Sequence, residues 1–426
     1  MESSPRTGSG PTRRPSRLPS LTGLRFIAAA LVFADHVRFQ WAPGPYPSGF
    51  LFSSQSVQGK YSSIFGNAGA VGVAFFFVLS GFVLAWSSRS TDTATAFWRR
   101  RIFKIYPNHL VNFAVIMVLF LAVSDLAVDR GHAILNLLLV QSWVPNYDTV
   151  FSGNPMAWSL SCEALFYFSF PVLIRYIGRI NPQRLWAWAG AVVVAIFLMP
   201  TVADAFLPNH VLVPGMTTRT WFIYLFPPVR MLEFVFGILL ARIVLTGRRI
   251  PLGLGGAMAL SIAAYALQWL FPVNYTYVAV MVVPLGLLLV AAATTDAQRR
   301  PTLLSRRWMV YLGDISFAFY LWHYPVLTYA GKWLGGHKAG PIPFSAKGYS
   351  TPVAFFRMAL LFAISLAVAA LVYALVERPV YRRFATSRRR PSAPPVLAPA
   401  DAALPESVPA ASGADRAPLT EPGPRT

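Results

Sequence analysis

Apolar side chains along this chain come in blocks of about twenty residues, the length an α-helix needs to cross a bilayer. The blocks fall near 22–41, 68–88, 106–127, 158–177, 185–205, 221–241, 252–271, 275–293, 308–330 and 354–376. A further apolar stretch, AILNLLLVQSW at 133–143, is too short to cross and reads as re-entrant or interfacial. The pattern predicts an all-α fold: a polytopic membrane helix bundle of about ten transmembrane helices within 21–385. Residues 1–20 and 386–426 are rich in Pro, Ser, Ala and Arg and have no apolar block of their own, so they are expected to be disordered tails. For the same reason no cleavable signal segment is expected at the start.

Charge sets the orientation. With the first residues in the cytoplasm, the inner loops and tails hold Arg6, Arg13, Arg14 and Arg17, then Arg89 with Arg99 to Arg101 and Lys104, then Arg175, Arg179 and Arg184, then Arg242, Arg248 and Arg249, then Arg299, Arg300, Arg306 and Arg307, and last Arg378, Arg382, Arg383 and Arg388 to Arg390. The outer loops hold only Arg38, Lys60, Arg130, Arg219, Lys332, Lys338 and Lys347. That asymmetry obeys the positive-inside rule and puts both ends in the cytoplasm. Counting 133–143 as a full span would reverse every later loop, so the parity itself favours ten.

Composition agrees with the periodicity: 55% of the 426 residues are apolar and 12% charged, which excludes an ordinary soluble domain. A net charge of +21 would suggest a nucleic-acid partner in a soluble protein, but here the bilayer is the partner and topology accounts for the cations. The single cysteine, Cys162, excludes an intrachain disulfide and reads as a small buried hydrophobe. No metal-ligand set stands out.

The first block, LTGLRFIAAALVFADHVRFQ, carries Arg25, Asp35 and His36 where a membrane helix normally carries no such residue. Arg25 and His36 are eleven residues apart, about 16 Å of rise and within about 20° of a whole number of turns, so they share a face. A cation near one membrane surface is thus aligned with an imidazole deep in the bundle, a geometry suited to a long ligand with an anionic head. The structural alternative is a snorkelling arginine and a satisfied core histidine.

Five further stretches carry candidate chemistry. GVAFFFVLSGFVLAW holds Gly72, Ser80 and Gly81, which read as a helix-packing seam or as ligand contacts. FWRRRIFKIYPNHL sets Arg100, Arg101 and Lys104 beside a helix start at Pro107, as a phosphate site requires, although topology explains the cations equally well. WSLSCEALFYFSFP places Glu163 inside a span, where a carboxylate needs a partner or a role. In PPVRMLEFVFGILLAR, Arg230 and Glu233 stand at i and i+3 and can neutralise each other. YLGDISFAFYLWHYPVL puts Ser316, Tyr320 and His323 on one stripe. A sixth stretch, LVERPVYRR, ends the last block with Glu377, Arg378 and Pro379 and reads as a structural stop.

Taken in this order, the Arg-x10-His spacing and the segments FFFVLSGF, RRRIFKIYP, WSLSCE, the Arg230–Glu233 segment and YLWH resemble the integral-membrane acyltransferase-3 family, over nearly all of 21–383. Three positions depart from the family pattern: Lys104 replaces an arginine, Ala164 stands where a second acid is common, and Phe317 replaces a tyrosine. The resemblance implies transfer of an acyl group, acetyl or another short chain, from cytosolic acyl-CoA to a hydroxyl of a carbohydrate or glycosylated acceptor in a bacterial plasma membrane. It implies phosphate binding by Arg25, Arg100, Arg101 and Lys104, with Ser80 beside the donor. His36 would be the general base, oriented by Asp35 or Glu163, with Glu163 and His323 on the acceptor side. A proton-coupled secondary transporter is the alternative that intramembrane His, Asp and Glu leave open.

Overall fold

A computed structural model describes residues 17–41, 47–89, 92–123, 129–248, 252–335 and 348–385. The expected tails lie outside the described residues except for 17–20, as do Arg249, Lys338 and Lys347. The chain runs through α1 (Pro19–His36), a hairpin of β1 (Phe39–Trp41) and β2 (Pro47–Phe50), α2 (Gln55–Phe65), α3 (Ala68–Ser87) and the long α4 (Ala94–Val123). Next come α5 (Arg130–Leu137), α6 (Tyr147–Val150), α7 (Trp158–Gly178), α8 (Leu185–Phe206), α9 (Thr218–Tyr224), α10 (Pro227–Leu245) and α11 (Leu254–Leu267). The path ends with α12 (Val273–Thr276), α13 (Ala279–Ala297), α14 (Arg307–Pro325), α15 (Gly331–Gly335) and α16 (Thr351–Val372).

Each predicted apolar block has most of its described residues on helices, although the first runs past α1 into β1 and the sixth is broken between α9 and α10. Among the described residues, six helical stretches are by length and composition long and apolar enough to cross a membrane: 55–87, 94–122, 155–178, 182–206, 273–297 and 351–385. The others fall short for physical reasons. α1 carries Arg25, Asp35 and His36; α10 carries Arg230, Glu233 and Arg242; α14 carries Arg307, Asp314 and His323; α11 is short. Three of these four helices hold ionisable groups that the sequence singled out, while Glu163 lies on α7, which is apolar enough to span despite it. The 133–143 stretch forms the eight-residue α5, a left-handed turn at Leu139 (φ 58°) and a 3-10 turn at Gln141–Trp143. At about 1.5 Å per residue α5 rises only about 12 Å.

The centre of the molecule is α3, packed between α1 and α10. A Cβ at Gly81 would collide with the carbonyl oxygen of Phe234, and one at Gly237 with that of Val78, so the two backbones touch through reciprocal glycines. The SGF motif is therefore a packing seam at Gly81. Where α14 crosses α1, Gly313 leaves room in the same way for the Thr22 carbonyl. Close contact of this kind replaces the hydrophobic drive that lipid cannot supply between helices.

α1 has no side-chain cap of its own. Its first N–H groups are instead satisfied by α13: the Asp296 carboxylate accepts from Ser20 N at 2.8 Å and from Leu21 N at 3.4 Å. Ser20 and Leu18 are buried, so the ordered bundle begins just ahead of the apolar block. On α10, Arg230 and Glu233 pair at 3.0 Å, with side chains 0% and 1% exposed, as their spacing suggested. The guanidinium lies 4.9 Å from the Phe77 ring and 5.2 Å from that of Tyr224, an aromatic box that ties α10 to α3.

Candidate active site

The last residue of α1 meets the middle of the bundle. His36 Nδ1 lies 3.2 Å from His323 Nε2, and His323 Nδ1 lies 2.7 Å from the carbonyl oxygen of Tyr320. A carbonyl only accepts, so His323 Nδ1 carries a hydrogen and, in the neutral ring, Nε2 is bare. In this pair His36 Nδ1 is then the donor, and the basic nitrogen of the neutral His36 ring is Nε2. Packing fixes both rings: His323 is 0% exposed and stacks on Phe319 at 6.1 Å, while half-buried His36 meets the edge of Tyr324 at 6.5 Å. Asp35 does not hold the dyad. Its carboxylate pairs with Arg38 at 2.9 Å and packs against Gly69. The imidazole of His323, rather than the carboxylate of Asp35 or Glu163, lies within hydrogen-bond distance of His36 Nδ1.

Glu163 lies one turn into α7, in a second cluster. Its carboxylate accepts from the Tyr167 hydroxyl at 3.1 Å, and the same phenol is hydrogen-bonded to Ser80. Glu163 and Arg25 face each other across a cavity of about 60 Å³ that Ser159, Phe76, Phe317 and Tyr320 also line. The Ser159 and Tyr320 hydroxyls are 2.8 Å apart. Tyr320 thus closes this cavity with its phenol and binds His323 with its carbonyl, linking the two clusters within one turn of α14. Ser316, on the same stripe, spends its hydroxyl on the Gly313 carbonyl at 2.8 Å.

Where α3, α4, α7 and α10 meet at their charged ends, a second cavity, of about 580 Å³, opens, lined by Arg89, Arg100, Arg101, Arg175 and Arg242. Among the described residues Asp92 is the one carboxylate in its wall, and it pairs with Arg100 at 3.1 Å. The buried Nε atoms of Arg101 and Arg242 have no hydrogen-bond partner among the described residues. Five guanidinium groups and two orphaned buried donors make a site for an oligoanion. The Arg101 guanidinium also lies 5.8 Å from the Tyr167 ring, so it joins this cavity to the Glu163 cluster.

Two residues expected at the phosphates are elsewhere. Arg25 faces Glu163, and Lys104 Nζ pairs with Glu377 at 3.0 Å. Glu377 is buried and also accepts from Asn108 Nδ2 at 2.6 Å, and Asn108 Oδ1 accepts from Trp322 Nε1 at 2.8 Å. The Glu377 segment is therefore more than a helix stop: it ties α4 to the residue preceding His323. Sequence reasoning missed Arg175 and Arg242 as site residues. Their signal was present, but the positive-inside pattern accounted for them completely.

The acyltransferase-domain family matches residues 18–376. Acyltransferase MdmB of Streptomyces mycarofaciens is 38% identical over 382 residues, covering 88% of this chain and 94% of that protein. Exopolysaccharide production protein ExoZ of Rhizobium meliloti is 29% identical over 339 residues, covering 78% of this chain and 95% of its own length. Peptidoglycan O-acetyltransferase OatA of Listeria monocytogenes is 26% identical over 351 residues, 74% of this chain but only 51% of that longer protein. No solved structure matches the chain.

Proposed function

The chain belongs to the acyltransferase family whose domain it matches over residues 18–376, and on that premise we propose that it moves an acyl group from cytosolic acyl-CoA to a hydroxyl of a carbohydrate or glycosylated acceptor. It is a multi-pass membrane enzyme, which we place in the bacterial plasma membrane with ten spans, both ends in the cytoplasm and 133–143 re-entrant.

The observation that carries the donor assignment is the arginine cavity with its two orphaned Nε donors. Acyl-CoA has a phosphorylated head on a long flexible arm that ends in the thioester. Its phosphates fit against Arg100, Arg101, Arg175 and Arg242, and Tyr167, Glu163 and Tyr320, which link Arg101 to the dyad by successive contacts, are the polar groups its arm meets. Arg25, facing Glu163, becomes a contact for the arm. The reaction then needs one base. His36 Nε2 takes the proton from the acceptor hydroxyl, the oxygen attacks the thioester carbonyl, and the C–S bond breaks. The proton passes from His36 to the departing thiolate, giving an ester and free CoA. His323 keeps Nδ1 of His36 as the protonated nitrogen throughout.

The test is transfer of radiolabelled acetyl from acetyl-CoA into extract of cells lacking the protein, catalysed by purified protein in nanodiscs. Label should enter an extractable acceptor and be lost with His36→Ala. Separately, CoA binding followed by calorimetry should weaken with Arg101→Gln and Arg242→Gln. CoA binding that ignores both substitutions would refute the donor site, and full transfer by His36→Ala would refute the base.

A further inference from the structure

We infer that Asn112 and Asn154 are positioning residues for the histidine pair: their amides give the Leu321 carbonyl the hydrogen that Pro325 withholds, and so fix the turn of α14 that carries His323. The inference rests on the acyltransferase reading, in which His323 supports the base, and it names what holds His323 in turn.

A backbone donor is missing from α14. Each helical carbonyl accepts from the N–H four residues on, and the residue four beyond Leu321 is Pro325, which has none. Pro325 keeps helical dihedrals, φ −53° and ψ −38°, so the chain runs straight on past a carbonyl with no helical partner. Inside a membrane-spanning bundle such a group must be satisfied by a neighbour. Asn154 Nδ2 donates to it at 2.8 Å and Asn112 Nδ2 at 3.4 Å. Both residues are buried, 1% and 0% exposed.

The rest of each amide is spent on holding it in place. Asn154 Nδ2 also donates to Asn112 Oδ1 at 2.7 Å, and Asn154 Oδ1 caps the 3-10 turn Pro155–Ala157 by accepting from Met156 N at 3.0 Å. Asn108, one turn before Asn112 on the same face of α4, accepts from Trp322 Nε1. Leu321 and Trp322 are thus gripped in succession immediately ahead of His323. The two imidazoles meet at 3.2 Å, so a small rotation of this turn would part them.

The same arrangement occurs a second time. Pro171 stands four residues after Tyr167 on α7, and the Tyr167 carbonyl accepts from Trp98 Nε1 of α4 at 3.1 Å. That turn carries Tyr167 and, one turn earlier, Glu163. In both places α4 supplies a side-chain donor where proline has removed a backbone one, and in both the turn presents a residue of the candidate site.

The test is a double-variant cycle in nanodiscs. Asn154→Ala removes the shorter bond, and Pro325→Ala gives Leu321 a backbone donor. Asn154→Ala alone should lower Tm by about 2–4 °C, and much less in the Pro325→Ala background. The position of the ring is read with diethylpyrocarbonate, which modifies accessible neutral imidazoles, followed by peptide mass spectrometry. His323 is 0% exposed and should react slowly; loss of one net hydrogen bond should raise its rate about fivefold in Asn154→Ala, while buried His109 and exposed His210 react as in the wild type. Pro325→Ala should suppress that rise as well. Neither readout needs turnover, so failure here is distinct from failure of the acyltransferase reading. In the transfer assay kcat should fall by no more than the about tenfold expected of His323→Ala, with the KM for acetyl-CoA unchanged and no further loss in the His323→Ala background. Equal Tm losses with and without Pro325, labelling of His323 that stays at the wild-type rate or rises together with that of His109, or the same kcat loss with and without His323 overturns the proposal. Asn112→Leu replaces Asn154→Ala if that variant does not fold by size-exclusion chromatography.

Discussion

Removing the second imidazole separates a base from its holder. If His36 Nε2 takes the proton, His36→Ala should cost the contribution of a positioned general base, about 10²- to 10⁴-fold in kcat. His323 touches the reaction only through one neutral hydrogen bond at 3.2 Å, whose net worth is about 1 kcal/mol, or about a fivefold change in rate. Some loss of orientation adds to this, so His323→Ala should fall by about tenfold. His323→Gln, whose amide oxygen accepts from His36 Nδ1, should recover most of that loss. The double variant should be no worse than His36→Ala alone, because a holder has nothing left to hold. The assay is initial-rate acetyl transfer in nanodiscs with acetyl-CoA saturating and variants matched by folded amount. A loss in His323→Ala as deep as in His36→Ala, with the two losses multiplying in the double variant, would refute the division of roles.

Other substitutions probe the frame around the dyad. Gly237→Ala inserts a methyl group against the Val78 carbonyl and should destabilise the bundle by about 1–3 kcal/mol, seen as a lower Tm in detergent; an unchanged Tm would mean that α3 and α10 separate freely. Asp296→Ala strips the cap from α1 and should cost about 1 kcal/mol of stability, with Asp296→Asn retaining part of it by the same measurement. Lys104→Met leaves the buried Glu377 without its cation and should destabilise by about 3 kcal/mol while leaving the KM for acyl-CoA unchanged; a raised KM would return Lys104 to the donor site. Arg242→Gln should raise that KM with little change in kcat, and a pure kcat defect would count against a phosphate contact.

Much of this architecture is written locally. Helix-length apolar blocks and the ionisable residues inside them are short-range features, and for that reason each block lies mostly on helices and Arg25, Glu163, His36 and His323 all turn up in or beside interior clusters. Pairings across the fold are not local. His36 and His323 are 287 residues apart and Lys104 and Glu377 are 273 apart, and nothing in either neighbourhood names the other. The Asp35–Arg38 pair was within reach, since a three-residue spacing joins side chains on a helix. It was obscured because Arg38 lies just past the end of α1. Arg175 and Arg242 show the opposite difficulty: one sufficient explanation, topology, concealed a second.

α4 fixes the spacing of the whole apparatus. Its N-terminal turns wall the arginine cavity, its middle is fastened through Asn108 to α14, and its far turns, with Ile116 and Phe120, wall another cavity of about 170 Å³. Losing a single residue between Lys104 and Ile116 would rotate everything beyond it by about 100° and shorten it by about 1.5 Å. Side chains could all be conserved and the two chambers would still fall out of phase. In this protein the number of residues in one helix is therefore as much a determinant of chemistry as the identity of any of them.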